Sequence, residues 1–219
     1  MDLRKVKAVL FDLDGTLLDT VNDIGTCVNE TMCRYGFPAR DLKDYPALVG
    51  HGARELIRIS LPEGLDEETI EKVFKDYVLH YRDNCDRFVQ YYPGVREFLS
   101  FLTEKGYKIG VITNKSQPTA EKIVGKYLAD YDFAIMWGNN YVRPLKPSLE
   151  SAQLACETLG LKPEEIMFVG DGDTDMEFGS KAGFTACGVT WGYRSKEVLL
   201  EYGADFLVDS FAELQKKFQ

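Results

Sequence analysis

Asp12 and Asp14 stand two residues apart in Asp12-Leu13-Asp14-Gly15-Thr16-Leu17-Leu18-Asp19-Thr20, directly after the apolar run Ala8-Val9-Leu10-Phe11. At the end of an extended strand, residues two apart point the same way, and Gly15 permits a sharp turn immediately afterwards. Two carboxylates held so close destabilise each other unless a cation or a shared proton compensates. A bare pair of this kind is ordinarily a solvated acidic turn. Four specified positions in the pattern Asp-x-Asp-Gly-Thr, however, give a chance match on the order of 1 in 10⁵ per start site, which points to chemistry instead.

To place these carboxylates the chain needs a buried strand that ends at them, and Val6 to Leu13 supplies one: short, apolar and closed by acidic residues, as in an inner strand of a parallel sheet. The same style recurs in Tyr107 to Ile112, which ends in Thr113-Asn114, in Glu165 to Val169, which ends in Gly170-Asp171, and in Phe184 to Val189. Phe133 to Trp137 and Asp205 to Val208 are further candidates. Helical spacing separates them: Val95, Phe98, Leu99 and Leu102; Ile123, Val124, Tyr127 and Leu128; Leu149, Ala152, Cys156 and Leu159 before Gly160. Alternating strand and helix predict an α/β fold, a doubly wound parallel sheet with right-handed crossovers.

Residues 18–88 break that alternation. Val21, Ile24, Val28, Met32 and Tyr35 recur at helical steps, and Ile70, Val73, Phe74, Tyr77, Val78 and Tyr81 line a second helix capped by Asp66. Leu48 to Leu61 reads as a loop entering another helix, and no strand pattern is convincing in this stretch. The resulting division is a core of residues 1–17 and 89–219 with an inserted all-helical cap, residues 18–88, over the C-terminal ends of the strands.

In chain order, the Asp12 string, Thr113-Asn114 at a strand end, Lys146-Pro147 and Gly170-Asp171-Gly172-Asp173-Thr174-Asp175 resemble the four motifs of the haloacid dehalogenase superfamily of phosphotransferases. The resemblance covers almost the whole chain and implies a Rossmann-like core that transfers phosphoryl groups. Such transfer needs a nucleophile in line with phosphorus, a proton donor for the leaving oxygen and positive charge at the equatorial oxygens. By the resemblance, Asp12 is the nucleophile that becomes an aspartyl-phosphate, and Asp14 protonates the leaving alkoxide and then deprotonates water. Mg²⁺ is implied on Asp12, Asp171 and the backbone carbonyl of Asp14. Thr113 and the Asn114 amide are implied on phosphate oxygens, Lys146 as the compensating cation, and Asp175 as the group orienting metal waters or Lys146.

Other positions carry lesser expectations. Asp173 reads as a helix N-terminal charge. Thr20 is expected to cap the first cap helix, with hinge or gate contact by Asp19 and Thr20 as the alternative. Where close relatives usually read Lys-Pro-x-Pro, Leu149 stands in the last position, which keeps the lysine and puts the local turn in question.

An intact Asp14 and an acidic fourth motif favour phosphate over halide chemistry. A helical insertion after the first motif resembles the caps of phosphoglycolate phosphatases, β-phosphoglucomutase and related small-metabolite phosphatases, which close over the site. The stretch Val49-Gly50-His51-Gly52-Ala53-Arg54 is most similar to phosphoglycolate phosphatases, and implies Arg54 or His51 as binders of a substrate carboxylate or second anion, with Lys43 and Arg58 as further candidates. The expected activity is Mg²⁺-dependent hydrolysis of a small phosphomonoester. A mutase that returns phosphoryl to a bound sugar stays open. So does a phospho-accepting signalling module, although the insertion and a nucleophile on the first strand argue against it.

Composition narrows the partners. The 219 residues carry 26 Lys and Arg against 35 Asp and Glu, a formal charge of −9, with no basic block, so broad nucleic-acid or anionic-membrane binding is excluded. A small phosphorylated metabolite remains allowed, because a local site can oppose the global charge. Cys27, Cys33, Cys85, Cys156 and Cys187 are odd in number and widely spaced, and with only His51 and His80 beside them they form no zinc pattern. Reduced thiols, no membrane-length apolar run and no leader pattern give a cytoplasmic protein as the default. A monomer or weak homodimer is expected.

Overall fold

The computed structural model describes residues 3–219, and its first strand, β1 (Ala8–Phe11), is buried at every position. After it come β2 (Leu18–Asp19), α1 (Val21–Arg34), α2 (Ala53–Ser60), α3 (Glu67–Asn84) and β3 (Gln90–Tyr91). Next are α4 (Val95–Glu104), β4 (Lys108–Ser116), α5 (Gln117–Tyr127), β5 (Ile135–Asn139) and α6 (Glu150–Leu159). The chain closes with β6 (Ile166–Gly170), α7 (Asp173–Ala182), β7 (Thr185–Val189), α8 (Lys196–Glu201), β8 (Phe206–Val208) and α9 (Phe211–Lys216). Six strands form one parallel sheet in the order β5-β4-β1-β6-β7-β8.

Two-residue alternation along β1 feeds a core on each face. Val9 and Phe11 pack with Phe98 and Leu102 of α4, Ile123 of α5 and Phe211 of α9, whereas Ala8 and Leu10 pack with Ala155 of α6 and Phe178 of α7. Burial on both faces is why the inner strands are continuous apolar runs and not alternating ones. The chain builds outward from β1 in one direction and then in the other, so a crevice opens at the C-terminal ends of β1, β4 and β6, where such sheets hold ligands.

Between β2 and β3 lie three α-helices. The apolar stripe of α3 (Ile70, Val73, Phe74, Tyr77 and Tyr81) packs against α1 and α2, and the Asp66 carboxylate caps α3 by accepting from Thr69 N at 2.7 Å. Two features differ from the sequence reading. Leu18–Asp19 and Gln90–Tyr91 form an antiparallel two-residue ladder where no strand was expected. A pair that short leaves no periodic signal, and it forms because the entry and exit of the helical segment run side by side. β4 also continues to Ser116 through Thr113 and Asn114, its pairing with β5 shifting register between Ile112 and Ser116, because backbone bonding carries on past the end of the apolar run.

No described helix is long and apolar enough to cross a membrane. The five cysteines are free thiols.

Asp23, fully buried in the first turn of α1, ties the two ends of the helical segment together. Its carboxylate accepts from the backbone N–H of Arg87 at 2.7 Å and from Phe88 at 3.0 Å, against a burial cost that pushes its pKa up. Asp23→Ala orphans both donors and is expected to destabilise the protein by about 2–4 kcal/mol. Urea unfolding with an unchanged midpoint would contradict this tie.

Candidate functional site

Strand register sets the site. Phe11 lies level with Val111 on one side and Val169 on the other, and Asp12 N donates to Val169 O at 2.9 Å, so Asp12 leaves β1 beside the end of β6, where Asp171 follows Gly170. Asp171 fits because its neighbours lack side chains: a Cβ on Gly15, which has φ +82°, or on Gly192 would come within 2.2 Å of it. Thr16 Oγ1 donates to its Oδ1 at 2.7 Å and Tyr193 N to its Oδ2 at 2.8 Å.

Lys146 enters from the segment after β5 with its side chain only 2 % exposed, placing Nζ 2.9 Å from Asp12 Oδ1 and 2.7 Å from Asp175 Oδ1. Asn114 holds the lysine's backbone. Its Oδ1 accepts from Lys146 N at 2.8 Å, and its Nδ2 donates to Lys146 O at 3.1 Å and to Gly50 O at 2.9 Å. Both side-chain N–H donors of Asn114 are therefore engaged within the protein. Leu149, in place of the usual proline, is exposed at the start of α6, and Asn114 secures the lysine from the other side.

Crowding these groups in a largely buried crevice shifts their titration. Burial, opposed by Lys146 and reinforced by Asp175 and Asp14, pushes the Asp12 carboxyl up to about 6. Burial, then Asp175 and Asp12, pushes Asp171 up as well. Burial alone would lower the Lys146 ammonium, but Asp12 and Asp175 more than offset it and raise its pKa. Oxygens of Asp12, Asp171 and Asp175 lie within 4.8 Å of one another, a spacing that suits a divalent cation. Asp12 Oδ1 is buried without a hydrogen bond, since its approach to Lys146 is not aligned as one. Both Asp175 oxygens are taken, by Lys146 Nζ at 2.7 Å and Gly172 N at 2.9 Å. Both Asp171 oxygens also accept, but from the neutral donors Thr16 Oγ1 and Tyr193 N, whereas Asp175 is paired with the Lys146 ammonium. The donor set thus fits a hard cation with Asp12 and Asp171 able to serve as ligands beside Asp175.

Asp14 has a partner the sequence reading missed. Lys115, on β4 directly after Asn114, brings Nζ within 2.8 Å and 3.0 Å of the two Asp14 oxygens and donates to Tyr81 Oη of α3 at 2.6 Å. A lysine in a polar run after a strand looks like a surface residue, and only the continuation of β4 buries it. Thr20 differs from its expected role too. It occupies the N-cap position of α1 without a side-chain cap bond, because its hydroxyl donates to Asp14 Oδ1 at 2.5 Å; Asp19 Oδ1 accepts from Val21 N at 3.2 Å instead.

Above the crevice, the helical segment supplies a largely apolar wall that includes Ile24, Val49, Leu56, Tyr77, Val78 and Tyr81. Of the basic residues expected there, Arg54 pairs with Glu71 and lies 3.7 Å from Glu67, Arg58 bonds Glu67 at 2.7 Å and 2.9 Å, and Lys43 pairs with Asp41. They line no part of the cavity. Arg54 and Arg58 face the acidic start of α3 because an exposed guanidinium finds its nearest carboxylates there. His51 reaches the rim, with Nε2 3.2 Å from Asp173 Oδ2. Asp173 opens α7 as expected, and it also accepts from Arg194 Nε at 3.0 Å. Arg194 donates onward to Pro46 O at 2.7 Å and Val49 O at 2.6 Å, strapping the loop before α2 to the core.

This arrangement of acidic strand ends, buried lysine and inserted helices defines a class. A sequence model of the haloacid dehalogenase-like hydrolases matches residues 9–189, and the chain belongs to that family. It is 30 % identical over 215 residues to a phosphoglycolate phosphatase of Haemophilus influenzae, covering 95 % of this chain and 96 % of that protein. It is 32 % identical over 215 residues to an N-acetylmuramic acid 6-phosphate phosphatase of Pseudomonas aeruginosa, covering 98 % and 95 %. The crystal structure of a predicted phosphoglycolate phosphatase from Haemophilus somnus superposes with a TM-score of 0.91 at 27 % identity, covering 98 % of this chain and 99 % of that one.

Bonds from a charged donor contribute about 1.5–3 kcal/mol each when buried. Arg194→Ala is therefore expected to speed amide exchange of Leu48 and Val49 by about tenfold or more while leaving β1 and β6 protected. Unchanged exchange in that loop would show that Arg194 does not hold it.

Proposed function

We propose that this phosphatase hydrolyses a small phosphomonoester, of the phosphoglycolate type or close to it, through a phosphorylated Asp12 and with Mg²⁺ as cofactor. The observation that carries the reading is Asp12 Oδ1: a buried carboxylate oxygen at a strand end, without a hydrogen bond, 2.9 Å from a buried ammonium and beside a second acidic strand end. The whole-length likeness to named phosphatases supports the same reaction class.

In the first step the Asp12 carboxylate forms a bond to phosphorus while the ester bond breaks. The ester oxygen leaves with the electron pair and takes a proton from Asp14. In the second step Asp14 takes a proton from water as that water attacks phosphorus, which releases inorganic phosphate and restores Asp12. Thr113 and the backbone of Asn114 would hold phosphate oxygens, and Lys146 would balance charge on phosphate and on Asp12. A Mg²⁺ on Asp12, Asp171 and the Asp14 carbonyl would draw negative charge from the phosphate oxygens, with Asp175 orienting Lys146. Residues 18–88 would serve as the cap that closes the crevice, and the core is residues 1–17 and 89–219. His51 would meet substrate only at the rim, and Arg54 only after leaving Glu71. A cytoplasmic monomer or weak homodimer accords with the free thiols and the acidic surface.

Asp12→Asn is expected to fold normally and to lose phosphate release from a panel of small phosphomonoesters by on the order of 10⁴-fold or more. Substantial hydrolysis by that variant would refute the nucleophile. Glucose 6-phosphate formed from β-glucose 1-phosphate without free phosphate would favour the mutase.

Proton and metal compete for the same oxygens. With Asp12 raised to about 6 and Asp171 raised too, the metal-free fold is favoured where these groups hold protons, and it loses that stability as pH rises through about 6. Mg²⁺ should restore it, so the rise in Tm on adding Mg²⁺ is expected to be larger at pH 7.5 than at pH 5. Equal rises at both pH values would contradict binding at these carboxylates.

A further inference from the structure

Lys115 occupies a position that neither the reaction scheme nor packing alone requires. Its side chain is 3 % exposed and the paired Asp14 side chain 11 %, so both charges have left water. A buried pair repays that desolvation only with good geometry and further hydrogen bonds. Here the ammonium contacts both Asp14 oxygens and also donates to Tyr81 Oη at 2.6 Å. Tyr81 is itself fixed, with its ring stacked on Tyr77 at 5.4 Å and the Lys115 nitrogen 4.8 Å from its centroid. Lys115 is thus anchored by backbone on β4 next to Asn114, and its head group bridges a core carboxylate and a phenol of the cap helix α3.

We propose that Lys115 and Tyr81 form a positioning pair for Asp14, in which the lysine fixes the carboxylate's orientation toward the leaving oxygen and the phenol makes that hold depend on the docked α3. The proposal rests on the role assigned to Asp14 above. Docking of the helical segment and alignment of the leaving-group acid then become one event, with Tyr81 of α3 acting through the lysine while Thr20, at the entry of the segment, donates to Asp14 Oδ1 directly.

The reaction itself offers a selective readout. When Asp12 bonds to phosphorus and the ester bond breaks, the departing oxygen carries the electron pair. An alkyl oxygen needs the Asp14 proton at that moment, whereas a 4-nitrophenyl oxygen is stable without one. The value of kcat/KM reports this first transfer and not the later attack by water. A disturbed Asp14 should therefore slow an alkyl phosphate far more than an aryl phosphate of similar size, while a loss of fold or of phosphate binding slows both.

The test compares 2-phenylethyl phosphate with 4-nitrophenyl phosphate on the full chain with Mg²⁺. Lys115→Met is expected to lower kcat/KM about 100-fold for the alkyl ester and less than about fivefold for the aryl ester, within the range of general acid catalysis. Tyr81→Phe keeps the stacked ring and removes only the hydroxyl; it should show the same selectivity at about three- to tenfold. Lys115→Arg, which can still clamp a carboxylate, should recover much of the alkyl activity. Equal losses on both esters, or no loss on either, would overturn the proposal, and the near-isosteric Tyr81→Phe keeps this decisive if Lys115→Met unfolds. Wild-type protein that releases no phosphate from either ester would instead overturn the phosphatase reading, and this proposal with it.

Discussion

The structure depends on holding like charges together out of water. Asp12, Asp171 and Asp175 converge at the ends of neighbouring segments, and among the described residues Lys146 is the cation that stands between Asp12 and Asp175. Burial alone would drive protons onto the acids, and the upward shifts of Asp12 and Asp171 are the trace of that pressure. Every neighbouring feature serves the crowding. Parallel register aligns the strand ends, Gly15 and Gly192 let Asp171 approach, and Asn114 grips both backbone sides of Lys146 so that one ammonium serves two carboxylates.

A second layer of constraint joins the helical segment to this centre. Asn114 donates to Gly50 O as well as to Lys146, so the residue that places the lysine also touches the loop above it. Arg194 grips Pro46 and Val49 in that loop while paired to Asp173 at the start of α7, two residues from Asp171. The connection between the helical segment and the sheet therefore runs through residues adjacent to the acidic strand ends, and a shift of the loop is felt where charge balance is tightest. The wall it brings is apolar, which lowers the local dielectric and strengthens each charge interaction below it.

Much of this was legible in the sequence. Short apolar runs ending in Asp12, Thr113 and Asp171 announced the inner strands, because strands buried on both faces must be apolar throughout, and the 3.6-residue stripes of α1 and α3 announced the insertion. What stayed hidden were contacts that join distant segments. Lys115 and Tyr81 are 34 residues apart and follow no shared period. Arg194 sits in a turn after β7 with no motif around it. Thr20 has the right type and place for a helix cap, yet its hydroxyl bonds a carboxylate six residues earlier, an outcome that depends on how the chain turns at Gly15. Arg54 was drawn toward substrate by the loop it follows, whereas its nearest carboxylates lie on α3.

The charge balance of the crevice connects these levels. Asp12, Asp14, Asp171 and Asp175 face Lys115 and Lys146, so with every carboxylate ionised four meet two ammoniums and two negative charges are left over, and the proton that Asp14 carries into the first step would leave one. The Asp173–Arg194 pair at the rim cancels within itself. One divalent cation would bring the fully ionised centre to neutrality, and without it a phosphate dianion would enter against a net negative field. The overall acidity of the chain would make that entry harder still, so discrimination in favour of a phosphate ester must arise inside the crevice and not from long-range attraction. That local origin accounts for the burial of both lysines. A charge at the surface would be screened within a Debye length of about 8 Å at physiological salt, while one enclosed beneath an apolar wall keeps its full effect on the oxygens beside it.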